Sequence, residues 1–461
     1  MEQRLAKNAA ASRRIPDSVL LTALKNGGPV VWASCLVMGL ANIVYGQAIK
    51  GLIFLAIEIG LIYFLVLPEG GLHWISMLPS LGDREMQEVW NEDKGIYEYV
   101  MGDQSQLILL YGGASLCLVL VGILIWRASV RSGYKAKQLK AAGIRVTFAD
   151  DLKSLLDENI HKLLMTPPAV FLAVFTVLPL IYMMCMAFTN YSKVGNHLVL
   201  FDWVGLANFK KVLSISDSIG QTFWSVLGWT LIWAVFATGL NYILGMLLAL
   251  LINRKGTRFK SFWRFCFILS IAVPQFVSLL IMRTMLQPSG AVNTLLMNMG
   301  LINKALPFFT DVTWARITVI VINLWVGIPY TMMQVTGILQ NIPEELYEAA
   351  KVDGANAFVI FFKITLPYML FVTMPYLITT FTGNVNNFNV IYLLSGGDPT
   401  PVGLTAGKTD LLVTWLYKLT VDQQYYNIGA VIGIMTFVVL SIVSLVTYRN
   451  TGSYKNEEGF Q

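Results

Sequence analysis

The chain has 461 residues, 56% of them hydrophobic and only 13% charged, with a mean hydropathy of +0.61. A soluble domain carries about twice that charge, so a soluble enzyme is excluded. The net charge of +6 is no nucleic-acid footprint, because the basic residues cluster beside apolar segments. The alternating segments of about ten residues that build a membrane β-barrel are absent. The expected fold class is therefore all-α, a polytopic helical membrane protein.

In chain order, residues 1–28 form a basic arm with Arg4, Lys7, Arg13, Arg14 and Lys25, expected in the cytoplasm. No small-residue cleavage site follows the first apolar run, so no cleaved signal peptide is expected. Residues 29–130 are read as N-terminal membrane helices. Within them lie apolar runs at 29–48 and 51–67, an acidic outer loop at 68–105 and a clear span at 106–126. The linker 131–165 shares a basic stretch that includes Arg127, Arg131, Lys135, Lys137, Lys140, Arg145, Lys153 and Lys162, and is placed inside. Two full crossings before 68–105 would put that loop on the wrong side. The expected resolution is a single crossing over 29–67. Residues 29–48, broken by Gly39, Asn42, Gly46 and Gln47, then form an interfacial or re-entrant helix. Nine crossings with an outer N-terminus is the alternative. Glu58 is costly in lipid and is expected to face protein or a headgroup.

Residues 166–450 hold six further spans, at 168–189, 222–252, 262–286, 315–340, 364–384 and 426–447, which gives eight crossings. The loop 253–264 carries five basic residues and no acidic one, so it is cytoplasmic. The loop 341–363 and the tail 451–461 follow it there. Cys35, Cys117, Cys185 and Cys266 sit in apolar segments and are expected as small buried thiols without disulfides. His73, His161 and His197 have no metal-ligand spacing. Gly403 to Thr409 falls one residue short of a phosphate loop and follows no strand.

The most specific pattern lies in the loop 341–363. Glu348-Ala349-Ala350 is followed by Asp353-Gly354 and then Ile364-Thr365-Leu366-Pro367. Asn341 is expected to cap a short helix with Pro343 in its first turn and Glu344 at the capping-box position. Gly354 should end it in a left-handed conformation. This spacing resembles the coupling loop of the membrane subunits of ATP-binding-cassette importers. The resemblance implies that Glu348, Ala349, Ala350, Asp353 and Gly354 dock on a separate ATPase.

Polar groups inside spans usually face a bundle interior or a cavity. One such cluster is Asn323 to Gln334, which Gly327 and Pro329 are expected to interrupt, and the second is Thr379 to Asn389. Amides and aromatic rings without compensating charge suit an uncharged sugar. Trp325 to Tyr330, Asn384 to Phe388, Leu393 to Pro399 and Thr409-Asp410 resemble the maltose/maltodextrin permeases of the larger, first-subunit type. That resemblance implies sugar contacts at Val326, Gly327, Tyr330, Thr380, Asn384 and Asn387. Ile271 and Gly383 replace two aromatic contacts of that family.

It further implies a non-catalytic subunit of a multi-pass carbohydrate importer in the cell membrane, with a cytoplasmic C-terminus and no cofactor of its own. A second permease subunit would complete a heterodimer. Two ATP-binding-cassette subunits would use the ATP, and an extracellular or periplasmic sugar-binding protein would deliver the cargo; lipid surrounds it and no nucleic acid is involved. Another oligosaccharide or glycerol phosphate is the rival cargo. A charged cargo should leave a cation in the cavity helices, and Arg283 is the candidate. A secondary transporter is the rival class, which would need intramembrane acids and no coupling loop.

Overall fold

Apolar runs of this length find no backbone partner in lipid, so they close their hydrogen bonds within helices. The computed structural model describes residues 20–92, 94–144, 156, 160–254 and 256–449. The basic arm before Leu20, the linker positions Arg145 and Lys153, and the tail 451–461 lie outside the described residues. Two compact units are present, one ending at Val204 and one beginning at Gly205.

The first unit opens with three short helices, α1 (Leu20–Asn26), α2 (Pro29–Ala33) and α3 (Leu40–Val44), followed by α4 (Ala48–Val66). At 5 residues each, α2 and α3 are too short to cross a bilayer, whereas α4 has the length and hydropathy to do so. The break is built from glycine: Gly39 and Gly46 have φ of 79° and 95°. A Cβ at Gly39 would sit 2.1 Å from the Gly51 carbonyl oxygen, so α3 and α4 meet backbone to backbone.

After α5 (Gly71–Met77) come two antiparallel strands, β1 (Gln87–Asn91) and β2 (Ile96–Val100), in register Trp90 opposite Tyr97. The outer loop thus contains a hairpin that its reading as loop did not foresee. Its signal, the alternation around Val89 and Tyr97 flanking Asn91 to Gly95, is in the sequence. Helix α6 (Ser105–Ala141) runs 37 residues, past the expected membrane boundary near 126. Then α7 (Ile160–Leu172) and α8 (Leu178–Met186) join through a π-turn at Ala173–Val177.

The backbone groups freed in the broken segment are met by side chains. Glu58 Oε2 accepts from the Met38 N–H at 2.7 Å, and Ser34 Oγ accepts from Ala41 N–H at 2.7 Å. From α6, Ser129 Oγ accepts the Gly39 N–H at 2.9 Å, and Trp126 Nε1 donates to the Cys35 carbonyl at 2.9 Å. Lys137 Nζ donates to the carbonyls of Asn26 and Gly27 and Lys140 Nζ to that of Val44. Glu58 therefore faces protein, as expected, and its acceptor role explains a carboxyl in an apolar helix.

The second unit comprises α9 (Ala207–Leu213), α10 (Ser218–Asn253), α11 (Lys260–Ala272), α12 (Gln275–Met285), α13 (Ala291–Asn298), α14 (Val312–Leu339), α15 (Glu344–Val352) and α16 (Ala357–Ile360), then α17 (Leu366–Val385), α18 (Phe388–Leu394), α19 (Leu412–Tyr417) and α20 (Tyr426–Arg449). Helices α10, α14 and α17 form its centre. The expected span 262–286 is bent by 85° between α11 and α12. Pro274 supplies the reason: it lacks an N–H and drives Val273 to an extended ψ of 125°. Conversely, α14 runs without interruption through Gly327 and Pro329, correcting the expected break. Small residues let α10 and α14 approach closely, a Cβ at Gly245 falling 2.6 Å from the Thr331 Cβ. Among the described residues, seven helices are long and apolar enough to cross a membrane, or eight with the bent pair, in step with the eight expected segments.

Replacing Glu58 tests the capping role. Glu58→Ala should lower stability by about 1–3 kcal/mol, the cost of an unsatisfied buried donor, whereas Glu58→Gln keeps an acceptor and most of the stability. Thermal unfolding of the detergent-purified protein measures both.

Candidate functional site

Helix α15 begins directly after Pro343, which occupies the N-cap position without a side-chain hydrogen bond. Neither Asn341 nor a capping box operates, which corrects that expectation: Pro343 already holds the extended ψ of 130° that a cap residue requires. The C-terminal end is as expected. Gly354 has φ of 75°, its N–H donates to Lys351 O at 3.0 Å, and the Ala355 N–H reaches back to Ala350 O at 2.9 Å. This is a Schellman closure, and it satisfies carbonyls that a helix end leaves open. Glu344 and Glu345 lie at the favourable end of the helix dipole and Lys351 at the other.

Two anchors hold this helix against α17. Ile342 is buried with Met332 and Met369, and the Tyr347 and Thr365 hydroxyls are hydrogen-bonded at 3.2 Å. Everything else turns outward: Glu348, Ala349 and Gly354 are exposed, Ala350 is half-buried, and Val352 is 87% exposed. The result is a short, closed helix with an exposed valine at its tip.

The polar cluster of the spans is more tightly knit than its sequence suggests. Asn384 is buried on α17, where its Nδ2 donates to Thr238 Oγ1 of α10 at 3.0 Å. The Trp233 indole N–H donates to the Asn384 carbonyl at 3.0 Å. Asn387 N-caps α18, its Oδ1 accepting from the Val390 N–H at 3.2 Å, and its Nδ2 lies 3.5 Å from Asn384 Oδ1. Both asparagines thus fix the α17–α18 corner. Gly327 meets α10 instead, since a Cβ there would lie 2.6 Å from the Asn241 amide. Val326 and Thr380 are half-buried, and Tyr330 is 44% exposed with no hydrogen-bond partner for its hydroxyl among the described residues. Thr238 and Asn241 belong to this neighbourhood but drew no notice in the sequence, because each is an isolated polar residue in a long apolar helix.

The segment from Ser395 to Lys418 is organised around Asp410, which is 1% exposed. Its Oδ2 accepts from the Gly407 N–H and from Lys418 Nζ, both at 2.7 Å, and its Oδ1 accepts from Thr414 Oγ1 at 2.9 Å. Burial pushes its pKa up, against the Lys418 ammonium and the donors from Gly407 and Thr414, which hold it down. Gly397 must be glycine here, since a Cβ would fall 2.2 Å from Asp410 Oδ1 and its φ is 89°. Ser395 and Thr409 hydroxyls close the turn at 2.9 Å. The Ser-Gly-Gly-Asp-Pro and Thr-Asp segments are thus two halves of one knot. Among the described residues no group of His, Cys, Asp or Glu is arranged to hold a metal ion.

Residues 241–451 match the family profile described as "Binding-protein-dependent transport system inner membrane component". The galactooligosaccharides transport system permease protein GanP of Bacillus subtilis is 34% identical over 430 residues, covering 92% of this chain and 97% of that protein. The chain belongs to the binding-protein-dependent transport permease family. The maltodextrin transport system permease protein MalC of Streptococcus pneumoniae is 35% identical over 442 residues, 92% of this chain and 96% of its own. MalF of Salmonella typhimurium, a maltose/maltodextrin transport system permease protein, is 36% identical over 254 residues, which is 54% of this chain and 49% of MalF. A solved bacterial ABC transporter involved in import of the acidic polysaccharide alginate shares the fold, with TM-score 0.52 at 23% identity over 65% of this chain and 96% of that one. As a family member the chain is a multi-pass inner-membrane transport permease.

The Asp410 knot has a measurable weight. Asp410→Asn leaves the Lys418 ammonium, 17% exposed, without its counter-charge and should cost about 3 kcal/mol of stability. Adding Lys418→Met to Asp410→Asn, which removes the unpaired charge and keeps an acceptor for the Gly407 N–H, should recover most of it, read as the thermal midpoint of the purified permease.

Proposed function

We propose that this chain is the translocation subunit of an ATP-driven carbohydrate importer that carries maltodextrin-like sugars. The observation that carries the reading is α15: a closed, outward-facing helix between two spans, anchored by Ile342 and Tyr347 and offering Glu348, Ala349, Ala350, Asp353 and Gly354 to a separate ATPase. The family places such chains in binding-protein-dependent systems, and an external sugar-binding protein is the expected source of cargo. The Lys/Arg bias of the loop 253–264 supports a cytoplasmic place for α15 and the C-terminus.

A second permease subunit is the proposed partner in the membrane. The span Leu163–Met186 has none of its apolar window buried within the chain. An apolar groove of about 940 Å³, lined by Tyr242, Met246, Phe361, Leu370 and Phe381 among others, runs along α10 and α17. Both support an assembly in which another set of helices covers them. Hydrolysis of ATP belongs to the docked subunits, and the chain needs no cofactor of its own.

For the sugar, the proposed site comprises Val326, Gly327, Tyr330, Thr380, Asn384 and Asn387. The open Tyr330 hydroxyl and the Thr380 hydroxyl would bond the cargo, while Asn384 and Asn387 hold the corner behind them through Thr238 and Val390. Galacto-oligosaccharides form the second reading, because GanP matches as fully as the maltodextrin permeases.

Two variants test this. A Cβ at Gly354 meets nothing within 4 Å, so substitution acts through backbone strain of about 1–2 kcal/mol. Gly354→Val should sharply lower sugar uptake and ATPase association at normal membrane levels, and Gly354→Asn, which tolerates positive φ, should keep most of both. Unchanged uptake in Gly354→Val would refute the docking role. Tyr330→Phe should weaken sugar affinity about two- to tenfold, the worth of one hydrogen bond, with the complex still assembled; radiolabelled maltotriose uptake, with a galacto-oligosaccharide as competitor, reads out affinity and cargo together.

A further inference from the structure

Beside the Asp410 knot, a small cavity of about 150 Å³ opens between the first turns of α10 and α14. Its lining includes Gln221, Ser225, Trp229, Arg316, Lys408 and Asp410. The carboxylate in this set is already committed, to Lys418, Thr414 and Gly407. Arg316 and Lys408 have no acidic partner among the described residues, so the cavity is left positive.

Arg316 is also held in one pose. Its guanidinium lies 4.4 Å from the centroid of the Trp229 ring, and its Nε donates to the Lys408 carbonyl at 3.1 Å. Trp229 is in turn fixed by its indole N–H, which donates to Thr409 O at 3.2 Å. Stacking and the Nε bond use one face and one edge of the guanidinium; the Nη edge remains for a ligand. A planar fork fixed in this way suits a carboxylate, which it can grip with two parallel bonds and little loss of side-chain freedom. Gln221 and Ser225 are exposed, so the mouth is open.

We propose that this cavity is a socket for an acidic side chain of the external solute-binding protein. At about 150 Å³ the cavity is smaller than small-molecule sites, which span roughly 300–1,000 Å³, and is of a size for one side-chain head. The inference rests on the importer reading above, which puts the starts of α10 and α14 at the outer face. In this reading the socket registers the docked binding protein over the corner that carries Asn384, through the same loop that Asp410 holds closed.

The test uses the assembled importer in proteoliposomes, with its purified sugar-loaded binding protein as the probe. Arg316→Gln should raise the binding-protein concentration for half-maximal ATPase stimulation at least fivefold, with the saturated rate kept within twofold. Arg316→Lys should fall between, since it keeps the charge and loses the fork. Ser225→Trp, which plugs the mouth without touching the cation, should reproduce the shift if Arg316→Gln proves unstable. Rising salt should weaken stimulation of the wild type more than that of Arg316→Gln. An unchanged half-maximal concentration in both Arg316→Gln and Ser225→Trp overturns the socket. A shift in the sugar concentration needed for uptake, with the binding-protein titration unmoved, also overturns it and assigns the carboxylate to the cargo. If no binding protein stimulates the wild-type importer, the importer reading falls and the socket with it.

Discussion

A backbone N–H or C=O that enters hydrocarbon without a partner costs several kcal/mol, and this constraint shapes the chain wherever a helix stops. Between Asn26 and Gln47 the first unit breaks its helix repeatedly, and α6 supplies the missing partners. Ser129, Trp126, Lys137 and Lys140 each bond a backbone group of the broken segment, and Glu58 takes the Met38 N–H from the other side. Without that cradle, a broken stretch of glycine, asparagine and glutamine could not persist beside lipid.

In the second unit the same requirement is met by a carboxylate. The segment between α18 and α19 turns through two left-handed glycines, Gly396 and Gly397, and packs its freed N–H and hydroxyl groups onto Asp410 and Ser395. Asp410 is neutralised by Lys418, so the segment acquires an internal charge pair in place of an exposed one. One consequence is mechanical: the Trp229 and Trp233 indoles of α10 bond the Thr409 and Asn384 carbonyls, tying this segment and the end of α17 to one helix. A second is electrostatic: with Asp410 spent on Lys418, Arg316 and Lys408 are left uncompensated among the described residues. At α15 the solution is local, a glycine with φ of 75° closing the helix by backbone bonds alone.

Features written in consecutive residues were readable from the sequence. Apolar length gave the spans, and the glycine after Asp353 gave the end of α15, because both signals act within a turn or two of chain. The cap of α15 was misjudged for a local reason too: Asn341 is a good capping residue, but Pro343 already occupies the position. Contacts between distant residues were not readable. Glu58 finds Met38 20 residues away, Arg316 finds Lys408 92 away, and Asn384 finds Thr238 146 away. Glu58 and Arg316 are lone charged residues in apolar runs and Asn384 sits in a polar cluster, and only packing reveals what each satisfies. The bend at Pro274 lies between these cases, since proline announces a break but not its 85° angle.

The most direct test of the account is where α15 goes. A single cysteine at position 349, in a background without the four native cysteines, would be offered to a short bifunctional cross-linker in membranes holding the assembled importer. The account predicts a covalent product with the ATPase subunit, and labelling of position 349 from the cytoplasmic face when that subunit is absent. Labelling from the outer face of intact cells, or no ATPase product in an importer that still transports, would contradict it.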